Sequence, residues 1–378
     1  MKFDYTLEPG KMLFERGLRT DGDPLISIIT PYYNGGKYIE QTFRSVENQT
    51  FPWFEWIIVD DGSTDKRSLE ILDELTELDS RIRVIHKENG GISTARNRGI
   101  QEAKTELIFP LDCDDLEEPT SLEYCWWMLQ KNPGAAWAYV TSCGFEGQEY
   151  LWDVHFDPNT EKTQNLLTPT ALIRKSWLLK AGCYDETISK HYNEDWHLWL
   201  RLIAIGAYPA QATQEYLHWY RRSENGVLTI VEKDPVFSAI NKKAIQEVAD
   251  RVVAPHNPII YPRIISGKWK APKVSSFERI IFKEHKKIHI AFLIPWFEMG
   301  GADKFNLDLI RGLDKTRFDI GIMTTVPSQN PWLQEFRKEV PDIFNLPNFV
   351  EQEVYAEFVS YYIKSRQVDI LFVSNSYH

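Results

Sequence analysis

The chain has little cysteine, no surplus of positive charge and no long apolar run. Its four cysteines, Cys113, Cys125, Cys143 and Cys183, form no CxxC pair and no metal-finger spacing. A disulfide framework or structural zinc therefore has little support, and a reducing compartment is the simpler expectation. Lys and Arg number 43 against 54 Asp and Glu, a formal charge of -11. That balance argues against nucleic acid as a partner and means any anionic ligand must be held by local groups. No stretch approaches the roughly 18 consecutive apolar residues of a spanning helix, and MKFDYTLEPGK lacks the apolar segment of a signal peptide. A soluble protein, resting at most on a membrane surface, is expected.

At 378 residues and 43% apolar content, the chain suits two domains, each able to bury a core. From Leu25 a β pattern begins. LISIIT reads as a buried strand and PYYNGG as the turn that ends it, while KYIEQTFRSVENQ spaces Ile39, Phe43 and Val46 at helical intervals. The cycle repeats through FEWIIVDDGSTD, SLEILDELTEL, RIRVIHKENGG, STARNRGIQEAK and ELIFPLDCDD. Strands alternating with helices to about residue 115 predict right-handed βαβ units and a mostly parallel sheet with helices on both faces. Ligands of such sheets bind outside the carboxyl ends of the strands, where DDGSTD, ENGG and DCDD all fall.

After Leu116 the pattern is irregular and rich in tryptophan (Trp126, Trp127, Trp137, Trp152, Trp177, Trp196, Trp199 and Trp219). Most of these indoles are expected in the core. Residues 232–287 carry one amphipathic helix, FSAINKKAIQEVADRV, then Pro-punctuated and basic segments such as PHNPIIYPR and KWKAPK, and read as a connector. A new β pattern starts at 288 with IHIAFLIPWF, EMGGADKF, FNLDLIRGL and FDIGIMTT, and the chain stops at DILFVSNSYH. A parallel α/β domain needs more than these residues, so the chain is expected to be a fragment of a longer protein or to end early.

Four polar stretches carry candidate chemistry. In PLDCDDLEEP, alternation along an extended chain would put Asp112 and Asp114 on one side, suited to a hard divalent cation that completes its shell with phosphate and water. Asp115, Glu117 and Glu118 would otherwise complement the dipole of the next helix, with Glu117 and Glu118 solvated. In VDDGSTD, Asp60 and Asp61 end a strand, Gly62 permits a tight turn, and Thr64 or Asp65 would cap the following helix while Asp61 meets a ligand. ENGGISTARNRG joins two glycines to Arg96 and Arg98 at a helix start, a combination that favours phosphate. HYNEDWHLWLRLI places Glu194 and Asp195 at the start of a helix whose dipole would keep Asp195 ionised, as a general base requires.

In this order and spacing, SIITPYYNGGKYIEQTFRSVENQTF, IIVDDGSTD, NGGISTARNRGI, FPLDCDDLEEP, GCYDE and EDWHLWLRL resemble the family 2 glycosyltransferases of the GT-A fold, over about residues 24–230. The resemblance implies the GT-A nucleotide-diphospho-sugar transferase fold, and an inverting transfer of sugar from a nucleotide-diphosphate sugar (UDP-, GDP- or dTDP-linked) to a glycan or lipid-linked glycan hydroxyl. It implies Asp195 as catalytic base. Pro31, Tyr33 and Asp61 would lie on the base and ribose, and Asn89 and Arg96 near the base and diphosphate. Asp112 would meet the ribose, and Asp114 would ligate Mn²⁺ or Mg²⁺. A minority of the tryptophans, those left out of the core, could form a platform for sugar rings. Bacterial surface polysaccharide synthesis is the expected setting, in the cytoplasm at or near the inner face of the membrane.

Residues 288–378 resemble the start of a family 4 glycosyltransferase of the GT-B fold, a partial Rossmann-like α/β domain without activity of its own. The expected organisation is an N-terminal extension (1–23), a GT-A domain (24–231), a helical connector (232–287) and this partial domain (288–378). One departure stands out: Ser223 in HWYRRSENGV occupies the place of a histidine found in many relatives, with His218, Arg221 or Arg222 as possible substitutes. That departure motivates the alternative of an inactive scaffold that binds nucleotide-sugar within an assembly. A haloacid-type phosphatase, which also uses a DxD pair, fits poorly because three strands precede the motif here.

Overall fold

The computed structural model describes residues 3–11, 22–187, 193–223, 234–253 and 287–374. Its first unit is built on β1 (Ile26–Tyr32), β2 (Phe54–Asp60), β3 (Ile82–His86) and β4 (Leu107–Pro110), which pair in parallel in the order β3-β2-β1-β4. Every residue of β1, β2 and β4 is buried, which is why these strands read as continuous apolar runs rather than alternating ones. Successive side chains nonetheless serve opposite faces: Ile28, Trp56 and Ile58 join one core, Ile29, Ile57 and Val59 the other.

Helices α1 (Ile39–Glu47) and α2 (Lys66–Leu78) cover the first face with Ile39, Phe43, Val46, Ile71, Leu72 and Leu75. Helix α3 (Ile92–Glu102) covers the second with Ala95 and Ile100. The sheet continues through β5 (Leu116–Glu117), β6 (Trp137–Glu146), β7 (Tyr150–Trp152), β8 (Leu172–Arg174) and β9 (Pro209–Arg222) in the order β4-β8-β6-β9-β5, with β7 on β6. Here β8 runs antiparallel to both neighbours, and β6 and β9 run parallel over most of their length. Of the tryptophans picked out above, Trp126, Trp127, Trp137, Trp199 and Trp219 are buried.

Three helices complete this unit: α4 (Ser121–Lys131), α5 (Lys175–Ala181) and α6 (Glu194–Ala204). A further helix, α7 (Pro235–Ala249), is the one expected in the connector. Its Ile245, Val248 and Ala249 are buried in the same core as Leu198, Trp199 and Leu202 of α6, so it belongs to the packed unit rather than to a free linker. The basic segments PHNPIIYPR and KWKAPK lie outside the described residues.

The second unit is a four-stranded, wholly parallel sheet of β10 (Ile288–Ile294), β11 (Phe318–Thr324), β12 (Asp342–Asn345) and β13 (Ile370–Val373), in the order β12-β11-β10-β13. Its helices are α8 (Gly301–Gly312), α9 (Leu333–Arg337) and α10 (Tyr355–Arg366). Ala291, Leu293, Met323 and Phe344 of this unit lie in one continuous core with Ile28, Trp56 and the buried residues of α4. The rings of Trp127 and Phe358 sit 5.0 Å apart edge to face, and those of Tyr124 and Phe349 4.5 Å. Within this dry contact Glu123 accepts two hydrogen bonds of 2.6 Å from Arg366, whose guanidinium also pairs with Asp342 at 3.0 Å. Helix α4 is therefore buried all round, and the two sheets are not separable bodies.

Candidate active site

The chain leaves β1 towards β2 on one side of the sheet, whereas β4 lies on the other side of β1. Loops after β1 and β4 thus part at a topological switch point, the place where open α/β sheets hold their ligands. Four polar segments meet there, and hydrogen bonds between them set the crevice.

Asn34, in the left-handed region at φ 49, accepts at its Oδ1 from the Thr64 and Asp65 amides at 2.9 Å. Asp65 in turn caps α2 by accepting from the Ser68 amide at 2.7 Å, as its position in GSTD predicts. The buried Asp61 carboxylate accepts from the amides of Gly90 at 3.0 Å and Gly91 at 2.7 Å and pairs with the Lys87 ammonium. It ties the second loop to the third. Gly62, at φ 78, lets the loops approach so closely that a Cβ there would meet the Asn89 amide at 2.9 Å. Pro31 is buried at the end of β1, Tyr33 is 52% exposed beyond it, and Asn89 is exposed on the rim.

The DCDD segment is not extended, contrary to the alternation argument. Strand β4 ends at Pro110, and residues 112–115 form a turn closed by the Asp115 amide on the Asp112 carbonyl at 3.2 Å. The turn, rather than a pleat, brings the carboxylates together. Burial first, and then the neighbouring Asp112, push the Asp114 pKa up to about 6. Asp115 is 1% exposed, accepts from the Arg221 amide at 2.8 Å, and is pushed well above the usual carboxylate range by burial, Asp114 and Asp112.

Glu117 and Glu118 are not the solvated charges that their sequence suggests. Strand β5 pairs with β9, Leu116 opposite Trp219 and Glu117 opposite His218, and this draws both glutamates inward. Glu117 accepts from Ser121 and sits 2.6 Å from His218 Nδ1, while Glu118 accepts from the Trp219 indole at 3.0 Å. The same pairing settles His218 and Arg221. His218 is wholly buried behind the turn, with Nε2 3.7 Å from Asp115. The Arg221 guanidinium donates to the Asp114 carbonyl at 2.6 Å and Gln41 at 2.7 Å and pairs with Glu146, between the rings of Tyr38 and Phe145. Both side chains already have partners in the wall behind the turn.

Glu194 and Asp195 are the first two residues of α6, entered through Asn193 at φ 59. Arg96, 1% exposed, joins this helix to the turn: one nitrogen donates to Asp112 at 2.6 Å and another to Glu194 at 2.5 Å. The expected effect of the helix dipole on Asp195 is overridden. Burial, and then the adjacent Glu194 charge, push its pKa up to about 7, which poises it for proton exchange near neutrality. Asp195 accepts from the Asn165 amide at 3.0 Å, a partner that no motif or periodicity marks in the loop between β7 and β8. The Tyr220 hydroxyl lies in the field of Asp112, Asp114, Asp115 and Asp195 together, so the turn and the start of α6 face one space.

Asp114, raised by burial and then by the neighbouring Asp112 charge, is a carboxylate that a hard divalent cation would relieve. Among the described residues no group of three or more His, Cys, Asp or Glu forms a cage, so such an ion would draw the rest of its shell from ligand oxygens and water. The described cysteines are all free. Among the described residues no helix is long and apolar enough to cross a membrane.

This mixed α/β architecture, with a large, curled and mostly parallel sheet, is that of the GT-A glycosyltransferases. A crystal structure of S. aureus TarS with UDP-GlcNAc matches it with a TM-score of 0.50, covering 58% of this chain and 65% of that one at 20% identity. Residues 27–186 match the model described as "Glycosyl transferase family 2", so this stretch of the chain is similar to that family. The match leaves the four-stranded unit unassigned. Glycosyltransferase GlyG of Streptococcus pneumoniae is 43% identical over 108 residues, 28% of this chain and 36% of that protein. The putative teichuronic acid biosynthesis glycosyltransferase TuaG of Bacillus subtilis is 43% identical over 105 residues, 28% of this chain and 41% of that protein. The aligned part spans well under half the length of these relatives.

Proposed function

We propose that this chain is an inverting glycosyltransferase that moves a sugar from a nucleotide-diphosphate sugar to a hydroxyl of a glycan or lipid-linked glycan in bacterial surface polysaccharide synthesis. The observation that carries the reading is the Asp112–Arg96–Glu194 bridge, which fixes the DCDD turn against the helix bearing Asp195. Donor-binding carboxylates and a base near neutrality then share one crevice. That TuaG is named for teichuronic acid biosynthesis, and that TarS was crystallised with UDP-GlcNAc, supports a polysaccharide setting and makes UDP-sugars the first donors to try.

In this mechanism Asp195 takes the proton of the acceptor hydroxyl as its oxygen attacks the anomeric carbon opposite the departing diphosphate, which inverts the configuration. Asp114 would hold Mn²⁺ or Mg²⁺ as direct ligand, with Asp112 beside it on the ribose. When bound, that ion supplies neutralisation of the diphosphate charge. Tyr33, exposed at the end of β1, and Asn89 on the rim are offered to the base and ribose. Pro31 and Asp61 shape the floor behind them. Arg96 is spent on the two carboxylates it bridges, so its part in phosphate binding is indirect. Residues 288–378 are read as the amino-terminal portion of a family 4 unit with no separate catalytic role; the described part, 288–374, completes the packing of α4.

The test is a hydrolysis and transfer screen of UDP-, GDP- and dTDP-sugars with Mn²⁺. Turnover should be lost in Asp195→Asn with donor binding kept, and metal-dependent donor affinity should be lost in Asp114→Ala. Undiminished turnover in Asp195→Asn sinks the base assignment. Donor binding without turnover in the native chain favours the scaffold reading prompted by Ser223.

A further inference from the structure

We propose that Asn165 is a positioning residue for Asp195: its amide ties down one carboxylate oxygen, so that the other is left to take the acceptor's proton. The inference rests on the reading of Asp195 as base, and adds to it a residue from the irregular loop between β7 and β8.

The geometry of Asn165 is fixed from both ends. Its Oδ1 accepts from the Leu167 amide at 3.3 Å, which identifies the other end of the side chain as the nitrogen. That nitrogen donates to Asp195 Oδ2 at 3.0 Å. The loop that presents it is clamped on either side. The Trp152 indole donates to the Leu166 carbonyl at 2.9 Å, and the Leu166 amide donates to Glu161 Oε2 at 3.1 Å. The Trp196 indole, next to Asp195 on α6, donates to the Glu161 carbonyl at 2.7 Å. Leu166 and Leu167 are buried, and Glu161 is wholly so. A side chain held by this many contacts restricts Asp195 to one orientation, which is what pre-organising a base demands.

Every group facing Asp195 from the packed elements bears on its proton. Glu194 on the same helix, Glu161 from the loop, Tyr184 after α5 and Tyr220 on β9 crowd it with acids. Burial, and then the Asp195 charge, push the Glu161 carboxyl well above the usual carboxylate range. The Trp196 backbone amide, the Asn165 amide and Arg96 favour the ionised Asp195, and Asn165 is the side chain among them that donates to it. A donor to a charged acceptor is worth more than a neutral hydrogen bond.

The experiment titrates Asp195 directly, without any sugar substrate. Chain labelled with ¹³Cγ-aspartate is followed by NMR from pH 5 to 9, and the Asp195 signal is assigned by its disappearance in Asp195→Asn. Asn165→Ala should raise the proton affinity of Asp195 about tenfold. Asn165→Asp keeps the shape and the acceptor for Leu167 but replaces the donor with a second acid, and should raise it further. An unchanged Asp195 midpoint in both folded variants overturns the proposal. With UDP-GlcNAc hydrolysis as the second readout, the acid limb of the rate profile should move upward in Asn165→Ala with KM unchanged. If the titration shifts but Asp195→Asn still turns over UDP-GlcNAc, the Asn165 contact stands and the base assignment fails instead.

Discussion

Replacing Arg96 with methionine tests the bridge on which the site depends. The guanidinium is 1% exposed, and its partners are only slightly more open: the side chain of Asp112 is 21% exposed and that of Glu194 10%. Methionine fills much of the volume but removes the charge, leaving two carboxylates beside Asp114, Asp115 and Asp195. Breaking a buried pair by removing one partner typically costs about 3–5 kcal/mol. Here one cation serves two anions, so the upper part of that range is expected. Arg96→Lys keeps the charge but cannot fork to both oxygens, and should recover stability only in part.

The assay is urea unfolding followed by tryptophan fluorescence, with donor binding measured on the same preparations. The expected result for Arg96→Met is a fall of about 4–5 kcal/mol from the shift of midpoint at unchanged slope, together with loss of metal-dependent donor affinity. A loss below about 1 kcal/mol would mean that the bridge contributes no more than a surface pair. Loss of stability with full donor affinity would refute the claim that the bridge sets the DCDD turn.

The unusual carboxylates give a pH dependence of definite sign. Asp195 and Asp114 are raised to about 7 and about 6 in the folded chain, so the native state binds more protons than the unfolded one between roughly pH 4 and 7. Their contribution is fully present below the unfolded value and is lost as pH rises through the folded one. His197, lowered to about 4 by burial, acts in the opposite direction below its ordinary value. The difference between native chain and Asp195→Asn isolates the first effect: melting of the metal-free native chain should fall relative to the variant from pH 5 to 7.5, and parallel curves would disprove it. Gly62→Ala should lower stability by about 1–3 kcal/mol by urea titration, because the residue sits at φ 78 and its Cβ would meet the Asn89 amide at 2.9 Å. Wild-type stability would show that the loops can separate freely.

The strands and helices of the first half were legible because their signals are local. Fully apolar runs marked β1, β2 and β4, and the spacing of Ile39, Phe43 and Val46 marked α1. Asp65 could be recognised as a cap for the same reason. Glu117 and Glu118 were misread because their burial depends on β9, about a hundred residues later in the chain. The dipole argument for Asp195 failed because it counted one helix and neither the burial of the carboxyl nor the adjacent Glu194 charge. Asn165 gave no signal at all: an asparagine in an irregular loop is commonplace until the fold sets it against α6.

The division of the chain into domains shows the same limit, and is open to its own test. The change of pattern at residue 288 coincides with the start of a second sheet, but does not say whether that sheet stands alone. Glu123 and Asp342 flank Arg366 at a contact where all three are at most 2% exposed, and the core runs through it from one sheet to the other. Arg366→Met should therefore cost about 3–5 kcal/mol, and the loss should appear in the whole chain. Tryptophan fluorescence, dominated at this contact by Trp126 and Trp127, should move together with far-UV circular dichroism in one transition. Two separated transitions would restore the picture of independent domains. Coincident ones mean that the second sheet is part of what holds α4, and through α4 and β5 the DCDD turn, in place.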